Sequence, residues 1–303
     1  MRLVTYRTTA EAEARLGAID GDLLIDLARL GLASGMPLPS TMLEFIDLGP
    51  QAVALASELI EQAGTRFPLG TAIPAGNAVL LAPIPRPRKN IFGIGLNYTE
   101  HVAESARALD TAIELPQQPV IFSKPPTAVI SWNDPIRHNA KVTQQMDWET
   151  ELAVVIGSRA CNVAEAHALD YVFGYTVIND VSARDCRRSG QWIVSKGQDT
   201  FAPMGPAIVT ADEIADPHNL NLSTKVNGVE KQNSNTRFML FNINQLIADI
   251  SSVMTLEPGD IIATGTPAGV GAGRNPQEFM WPGDVVECHV EGIGTLRNPI
   301  VAA

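Results

Sequence analysis

The sequence predicts an α+β, β-rich protein with a small N-terminal α+β domain over residues 1–78 and a larger unit over 79–303. Three observations carry this. After residue 90, short apolar β-prone runs alternate with turns: NIFGIGLN, PVIFSK, ELAVVIG, YVFGYTVIND, PAIVT, DIIATGT and DVVECHV. Only two stretches there, YTEHVAESARAL and FNINQLIADISSV, have clear helical character, which is too few for regular βαβ crossovers and a doubly wound sheet. Between the two units lies LAPIPRPRKN, with Pro83, Pro85 and Pro87 close together. Proline at that density blocks helix and sheet pairing and marks an extended linker or domain entry.

Within the first unit, MRLVTY reads as an opening strand and GDLLIDLARL as a strand or the start of a helix. QAVALASELIEQAG spaces its Ala, Leu and Ile at helical intervals. In the second unit, Ile243, Leu246, Ile247 and Ile250 define the apolar face of a helix.

Composition bounds the function. The 303 residues are 45% hydrophobic and 18% charged, which is globular and excludes a wholly disordered chain. Acidic residues outnumber basic ones by 33 to 22, for a net charge of −11. That balance argues against nucleic acid and against an anionic membrane surface, both of which need clustered Lys and Arg. A small acidic substrate stays open, because a local cation can hold it. No window has the ~18 consecutive apolar residues of a membrane span, and the N-terminus has no secretory apolar run. Cys161, Cys186 and Cys288 are too few and scattered for a disulfide framework. A cytoplasmic protein with free thiols is the expectation.

Five segments carry candidate chemistry. Glu149 and Glu151 precede or open the strand-like ELAVVIG. On a strand, i and i+2 share a face, so two like charges sit side by side at the mouth of a buried strand. A divalent cation would relieve that repulsion; a solvent-facing charged strand end is the alternative. Asp180 ends the apolar run YVFGYTVIND and can reach that mouth. Three carboxylates make an all-oxygen site suited to Mg²⁺ or Mn²⁺, not zinc. His101 and Glu104 lie one helical turn apart, the spacing of an acid–base dyad or of an ordinary surface pair. Lys196 stands among small residues, where a cation could balance excess carboxylate charge or simply face solvent. ATGTPAGVG, from Ala263 to Gly271, can bring backbone N–H groups close to an anion. It lacks the GK[ST] of a P-loop, and no GxSxG or HExxH occurs. His138, His167, His218 and His289 show no metal-ligand spacing and are assigned structural or surface roles.

Taken together, these segments resemble the fumarylacetoacetate hydrolase family over roughly residues 83–298, in the family's order. The resemblance rests on Asn97-Tyr98 with His101 and Glu104, on the Glu149/Glu151 pair, on Asn179-Asp180 with Ala183-Arg184-Asp185, on Lys196 and on the loop around Thr266. It implies a mixed-sheet β-roll, usually homodimeric, with Glu149, Glu151 and Asp180 as magnesium ligands. It implies a bacterial-type member acting on a small 2-oxo acid. Fumarylacetoacetate hydrolase proper is longer and uses a further upstream acidic ligand that has no match here.

The activity implied first is Mg²⁺-dependent hydrolysis of a C–C bond in an acylpyruvate or related 2,4-dioxo acid, through a cation-stabilised pyruvate enolate. His101, oriented by Glu104, would activate water, and Lys196 would balance charge. Thr266 with the loop amides would hold the substrate carboxylate, and Arg184 and Gln191 would line the pocket. Residues 105–118 are a candidate lid. Oxaloacetate decarboxylation, or isomerisation or hydration of an unsaturated 2-oxo diacid, would use the same enolate. A metal- or metabolite-binding protein without turnover is the reading from another class.

Overall fold

A computed structural model describes residues 1–109, 114–188 and 190–303, with the side chains of 105–109 undescribed. The expected lid over 105–118 includes 110–113 and so lies outside the described residues. The α+β, strand-rich class predicted from sequence is the one observed. Most described strands belong to one large sheet. In order its main path runs Ala72–Pro74, Leu23–Asp26, Arg15–Asp20, Arg2–Arg7, Ala202–Thr210, Val172–Asn179, Thr150–Ile156, Ile261–Ala263, Ile91–Gly95 and Val120–Lys124.

The opening strand Arg2–Arg7 pairs with Arg15–Asp20 on one side and with Ala202–Thr210 on the other, through Arg2↔Val209 and Leu3↔Ile208. Residues 1–78 therefore share a sheet with later residues. They also share a core: Leu3, Leu16 and Phe45 pack in one cluster with Ile178, Met204 and Ile261. GDLLIDLARL contains both expected elements. The strand Leu23–Asp26 gives way to the helix Leu27–Ala33 at Asp26, whose carboxylate caps the helix by accepting from Arg29 N–H at 2.9 Å. The proline segment is extended but not a solvated tether. Ala82 and Ile84 are buried, and the Pro83 carbonyl accepts from the Thr5 hydroxyl at 2.6 Å.

The central strand Thr150–Ile156 is buried at every residue, which explains its unbroken apolar run rather than an alternating one. It pairs antiparallel with Val172–Asn179, with Thr150↔Asn179 and Glu151↔Ile178 in register. Ile261–Ala263 lies on its other side, followed by Ile91–Gly95, paired in parallel.

A five-stranded sheet, in the order Val229–Asn235, Asn221–Val226, Val285–Val290, Gly294–Ala302 and Ile136–His138, packs against the large one. Its Leu222, Val226, Val286 and Val290 join Leu152, Val154 and Val177 in one core. The hairpin between its first two strands turns at Asn227-Gly228, both at positive φ (52° and 76°). Asn-Gly is a strong sequence signal for such a turn. The helix Ile243–Val253 buries the four predicted apolar residues and starts with a reciprocal Asn242/Gln245 capping box.

Candidate functional site

The register of the two central strands builds the site. Asp180 follows Val172–Asn179, and its N–H donates to the Glu149 carbonyl at 2.9 Å. Asp180 is thereby brought beside Glu149, while Glu151 lies two residues further along the chain, inside the strand Thr150–Ile156. Glu149, Glu151 and Asp180 each offer a carboxylate oxygen within 4.8 Å of the others, and all three are buried.

Cations close around them. Lys196 Nζ donates to Glu149 Oε2 at 2.8 Å and to Asp180 Oδ2 at 2.6 Å. Arg184 bridges Asp147 (Nε–Oδ2, 2.8 Å) and Glu149 (Nη2–Oε1, 2.7 Å). Lys124 is completely buried; its ammonium donates to Asp180 Oδ1 at 2.5 Å and to the carbonyls of Val181 and Lys196. All three ammonium protons are thus used.

These contacts set the charge states. Burial pushes Glu149 up, but Lys196 and then Arg184 outweigh it and hold the carboxyl well below the usual range. Glu151 goes the other way. Burial raises it, and the Asp180 and Glu149 charges add to that. Its Oε2 accepts from Gly265 N–H at 2.9 Å, but Oε1 has no hydrogen-bond partner. Burial pulls Lys124 down against the opposing charge of Asp180.

The helix Thr99–Leu109 follows closely on the strand Ile91–Gly95 and places the dyad. His101 Nδ1 lies 3.3 Å from Glu104 Oε2, with both residues buried. Glu104 also accepts from Gly269 N–H at 3.0 and 3.1 Å, which ties it to the glycine loop. His101 is near enough to Glu149 to lower its pKa. The dyad and the cluster are also tied to one loop, since Gly269 N–H holds Glu104 and Gly265 N–H holds Glu151.

The glycine loop does cradle anions, but those seen are the protein's own. Gly265 N–H serves Glu151, Gly269 N–H serves Glu104, and the N–H groups of Gly271 and Ala272 serve Asp147 at 2.6 and 3.0 Å. A Cβ at Gly273 would come within 2.1 Å of Glu104 Cδ, so close packing explains that glycine. The Thr266 hydroxyl donates to the Thr150 carbonyl at 2.9 Å and accepts from Gln232. Arg184 joins the cluster through its ion pairs. Gln191 sits on an exposed turn, its backbone paired with Arg188.

Sequence reasoning missed Lys124, Asp147 and Gln232. Lys124 had a usable signal, since it ends the apolar strand VIFSK as Asp180 follows another. Asp147 stands two residues before Glu149, yet only the fold reveals that it pins the glycine loop and Arg184. Gln232 lies on the unrecognised hairpin.

The residues fit a divalent cation. Five carboxylates (Glu104, Asp147, Glu149, Glu151, Asp180) are buried here, and Lys124, Arg184 and Lys196 pair with Asp147, Glu149 and Asp180 but not with Glu151. A divalent ion would offset the repulsion that Glu149 and Asp180 impose on Glu151, and the unpartnered Glu151 Oε1 is a ligand atom without another use.

Fold and site together define an enzyme built on an acidic metal-binding centre. The profile described as "Fumarylacetoacetate (FAA) hydrolase C-terminal" matches residues 90–301. The chain belongs to the fumarylacetoacetate hydrolase family. It is 42% identical to a mitochondrial oxaloacetate tautomerase of Xenopus laevis, over 99% of this chain and 90% of that one. It is 41% identical to an oxaloacetate tautomerase of Bacillus subtilis, over 93% and 94%. Among solved structures, a maleylpyruvate hydrolase from Sphingobium in complex with manganese(II) and pyruvate superposes over the full length of both chains, with TM-score 0.79 and 31% identity. No described helix is long and apolar enough to cross a membrane.

Proposed function

We propose that this chain is an oxaloacetate tautomerase, interconverting the keto and enol forms of a four-carbon 2-oxo diacid. The observation that carries the reading is the buried His101–Glu104 dyad, held by the same glycine loop that holds Glu151. It puts one proton-transfer group beside the place where a 2-oxo acid would be held. The two tautomerases support the reading, each about 40% identical and covering nearly all of both chains. They move it from C–C hydrolysis, implied first by the family resemblance, to isomerisation of a 2-oxo diacid.

The dyad geometry assigns the proton positions. Glu104 accepts from His101 Nδ1–H, which leaves Nε2 as the base. Nε2 takes a proton from C3 of the keto acid, and the C–H electron pair becomes the C2=C3 bond. The carbonyl electron pair moves to the 2-oxygen, which takes the proton back from His101, and the enol is complete. No water is consumed. Glu149, Glu151 and Asp180 would hold a divalent cation, Mg²⁺ or Mn²⁺, which supplies Lewis-acid polarisation of the 2-oxo group. Lys196, held at the cluster by two carboxylates, keeps that region from accumulating negative charge as the diacid enters. Arg187 lies over the Trp192 ring at 5.0 Å and has no carboxylate partner among the described residues, so it is available to the distal carboxylate.

Acylpyruvate hydrolysis is the second reading, favoured by the likeness to a maleylpyruvate hydrolase. The test is a side-by-side assay, with Mg²⁺ and with EDTA. Decay of enol-oxaloacetate absorbance is followed in one arm, and pyruvate release from an acylpyruvate in the other. EDTA-sensitive acceleration of the enol decay without pyruvate release is the expected result. Pyruvate release from the acylpyruvate with no effect on the enol overturns tautomerisation in favour of hydrolysis.

A further inference from the structure

The residue between the two cluster glutamates, Thr150, is held in an unusual way. On one side it is in register with Asn179 of the neighbouring strand. On the other side the adjoining strand Ile261–Ala263 pairs only with Ala153–Val155. Thr264 reaches Leu152, and then the chain turns away at Gly265, where φ is +99°. The backbone N–H and C=O of Thr150 are thus left without a strand to pair with, although they are buried, and each must find a partner.

Side chains take the strand's place. Gln232 Oε1 accepts from Thr150 N–H at 3.1 Å, and the Thr266 hydroxyl donates to Thr150 C=O at 2.9 Å. Gln232 Nε2 in turn donates to the Thr266 hydroxyl and to the Pro267 carbonyl, both at 2.8 Å. Thr224 completes the set by donating to Gln232 Oε1 at 2.5 Å. The Gln232 amide is 1% exposed, and all four of its hydrogen-bonding positions are filled. It acts as a substitute peptide group across the gap. It comes from the five-stranded sheet, so it ties that sheet to the glycine loop and to the backbone between Glu149 and Glu151.

We propose that Gln232 is a positioning residue that fixes the spacing of the Glu149/Glu151 pair, and through it the affinity of the site for a divalent cation. The inference rests on reading the three carboxylates as a metal site. Glu149 and Glu151 repel each other, and the peptide joining them has no strand on one side. Without the Gln232 bridge that peptide can rotate, and the carboxylates can move apart. Gln232 touches neither carboxylate itself, so its effect passes entirely through Thr150 and Thr266.

The test is Mn²⁺ titration of the metal-free protein, followed by loss of the free-ion EPR signal, with thermal unfolding of the same samples. The variants are Gln232→Met, Thr224→Val and Thr266→Val, the pair Gln232→Met/Thr266→Val, and Glu151→Gln as the control for the site. Gln232→Met is expected to raise the Mn²⁺ Kd roughly 10- to 100-fold, the range for groups that orient metal ligands. Thr224→Val should shift it less, in the same direction. Gln232→Met/Thr266→Val should bind more weakly than Gln232→Met, because the Thr266 hydroxyl holds the Thr150 carbonyl by its own bond, and by less than the sum of the two single effects, because Gln232 also bonds that hydroxyl. If Gln232→Met lowers the unfolding temperature but leaves Kd unchanged, the residue is merely structural and the inference is overturned. If that variant does not fold, an unchanged Kd in Thr224→Val overturns it equally. Wild-type Mn²⁺ binding that survives Glu151→Gln, or no binding at all, brings down the metal reading and this inference with it. Binding that Glu151→Gln abolishes and Gln232→Met leaves intact brings down this inference alone.

Discussion

Asp26, on the N-terminal strands, and Glu151, on the central strand, are both almost wholly withdrawn from solvent, yet their surroundings are opposite. Asp26 is saturated. Arg15 Nε and Tyr6 OH donate to one oxygen at 2.6 and 2.8 Å; Arg29 N–H and Arg15 Nη2 donate to the other at 2.9 and 3.1 Å. Burial raises its pKa, but the Arg15 bonds, then Arg29 N–H and Tyr6, outweigh that and leave it below the usual value. Burial and Asp26 together push Tyr6 up to about 12. Glu151 has one donor, a free oxygen and two carboxylates beside it. A buried acid with its bonds satisfied is a fastener. One left short of partners costs stability, and the fold tolerates that where a ligand can supply what is missing.

The comparison makes predictions, the largest first. Glu151→Gln should cut metal-dependent turnover on the order of 10³-fold, the loss of several kcal/mol of Lewis-acid stabilisation. Its metal-free form should unfold at the same temperature as wild type or higher, because a repelled charge has been removed. A marked fall in unfolding temperature would erase the contrast with Asp26.

His101→Gln should lower kcat roughly 10²- to 10⁴-fold, as expected for loss of a general base. The Mn²⁺ Kd should stay near wild type, and steady-state kinetics with a metal titration separate the two effects.

Asp26→Asn should behave in the reverse sense, with stability down by about 3 kcal/mol and turnover of the folded protein unchanged. The pH dependence has a definite sign. A carboxyl whose folded pKa is lowered adds stability above its ordinary value of 3.8 and loses it as pH falls through the folded value. The gap between wild type and Asp26→Asn, read by urea unfolding, should therefore close as pH drops below 3.8.

The smallest effect is expected from Gly273→Ala. Its Cβ would collide with the Glu104 carboxyl, displacing the group that orients His101. A fall in kcat of about tenfold, equivalent to about 1.4 kcal/mol, with unchanged Mn²⁺ affinity is the outcome to look for.

Much of the site was legible before any coordinates. Glu149 and Glu151 announce themselves because i and i+2 on a strand share a face, and Asp180 because it ends a second apolar strand. His101 and Glu104 follow from helical spacing. The helix Ile243–Val253 was legible for the same reason, since its apolar stripe is a local pattern. The anion-cradling character of the glycine loop was also legible. Its occupants were not, since Glu104, Asp147 and Glu151 reach it from 114 to 165 residues away.

By itself, then, the sequence determined the strand-rich class, the helices and the carboxylates and imidazole that define the chemistry. These follow from periodicity and residue type, which act over a few neighbours. Only the tertiary structure decided which charges are satisfied. Lys124 and Asp180 are 56 residues apart, Arg184 and Asp147 are 37 apart, and Thr150 and Gln232 are 82 apart. Whether a buried group is a fastener or a functional site depends on partners that chain folding brings from such distances, and no local pattern records them.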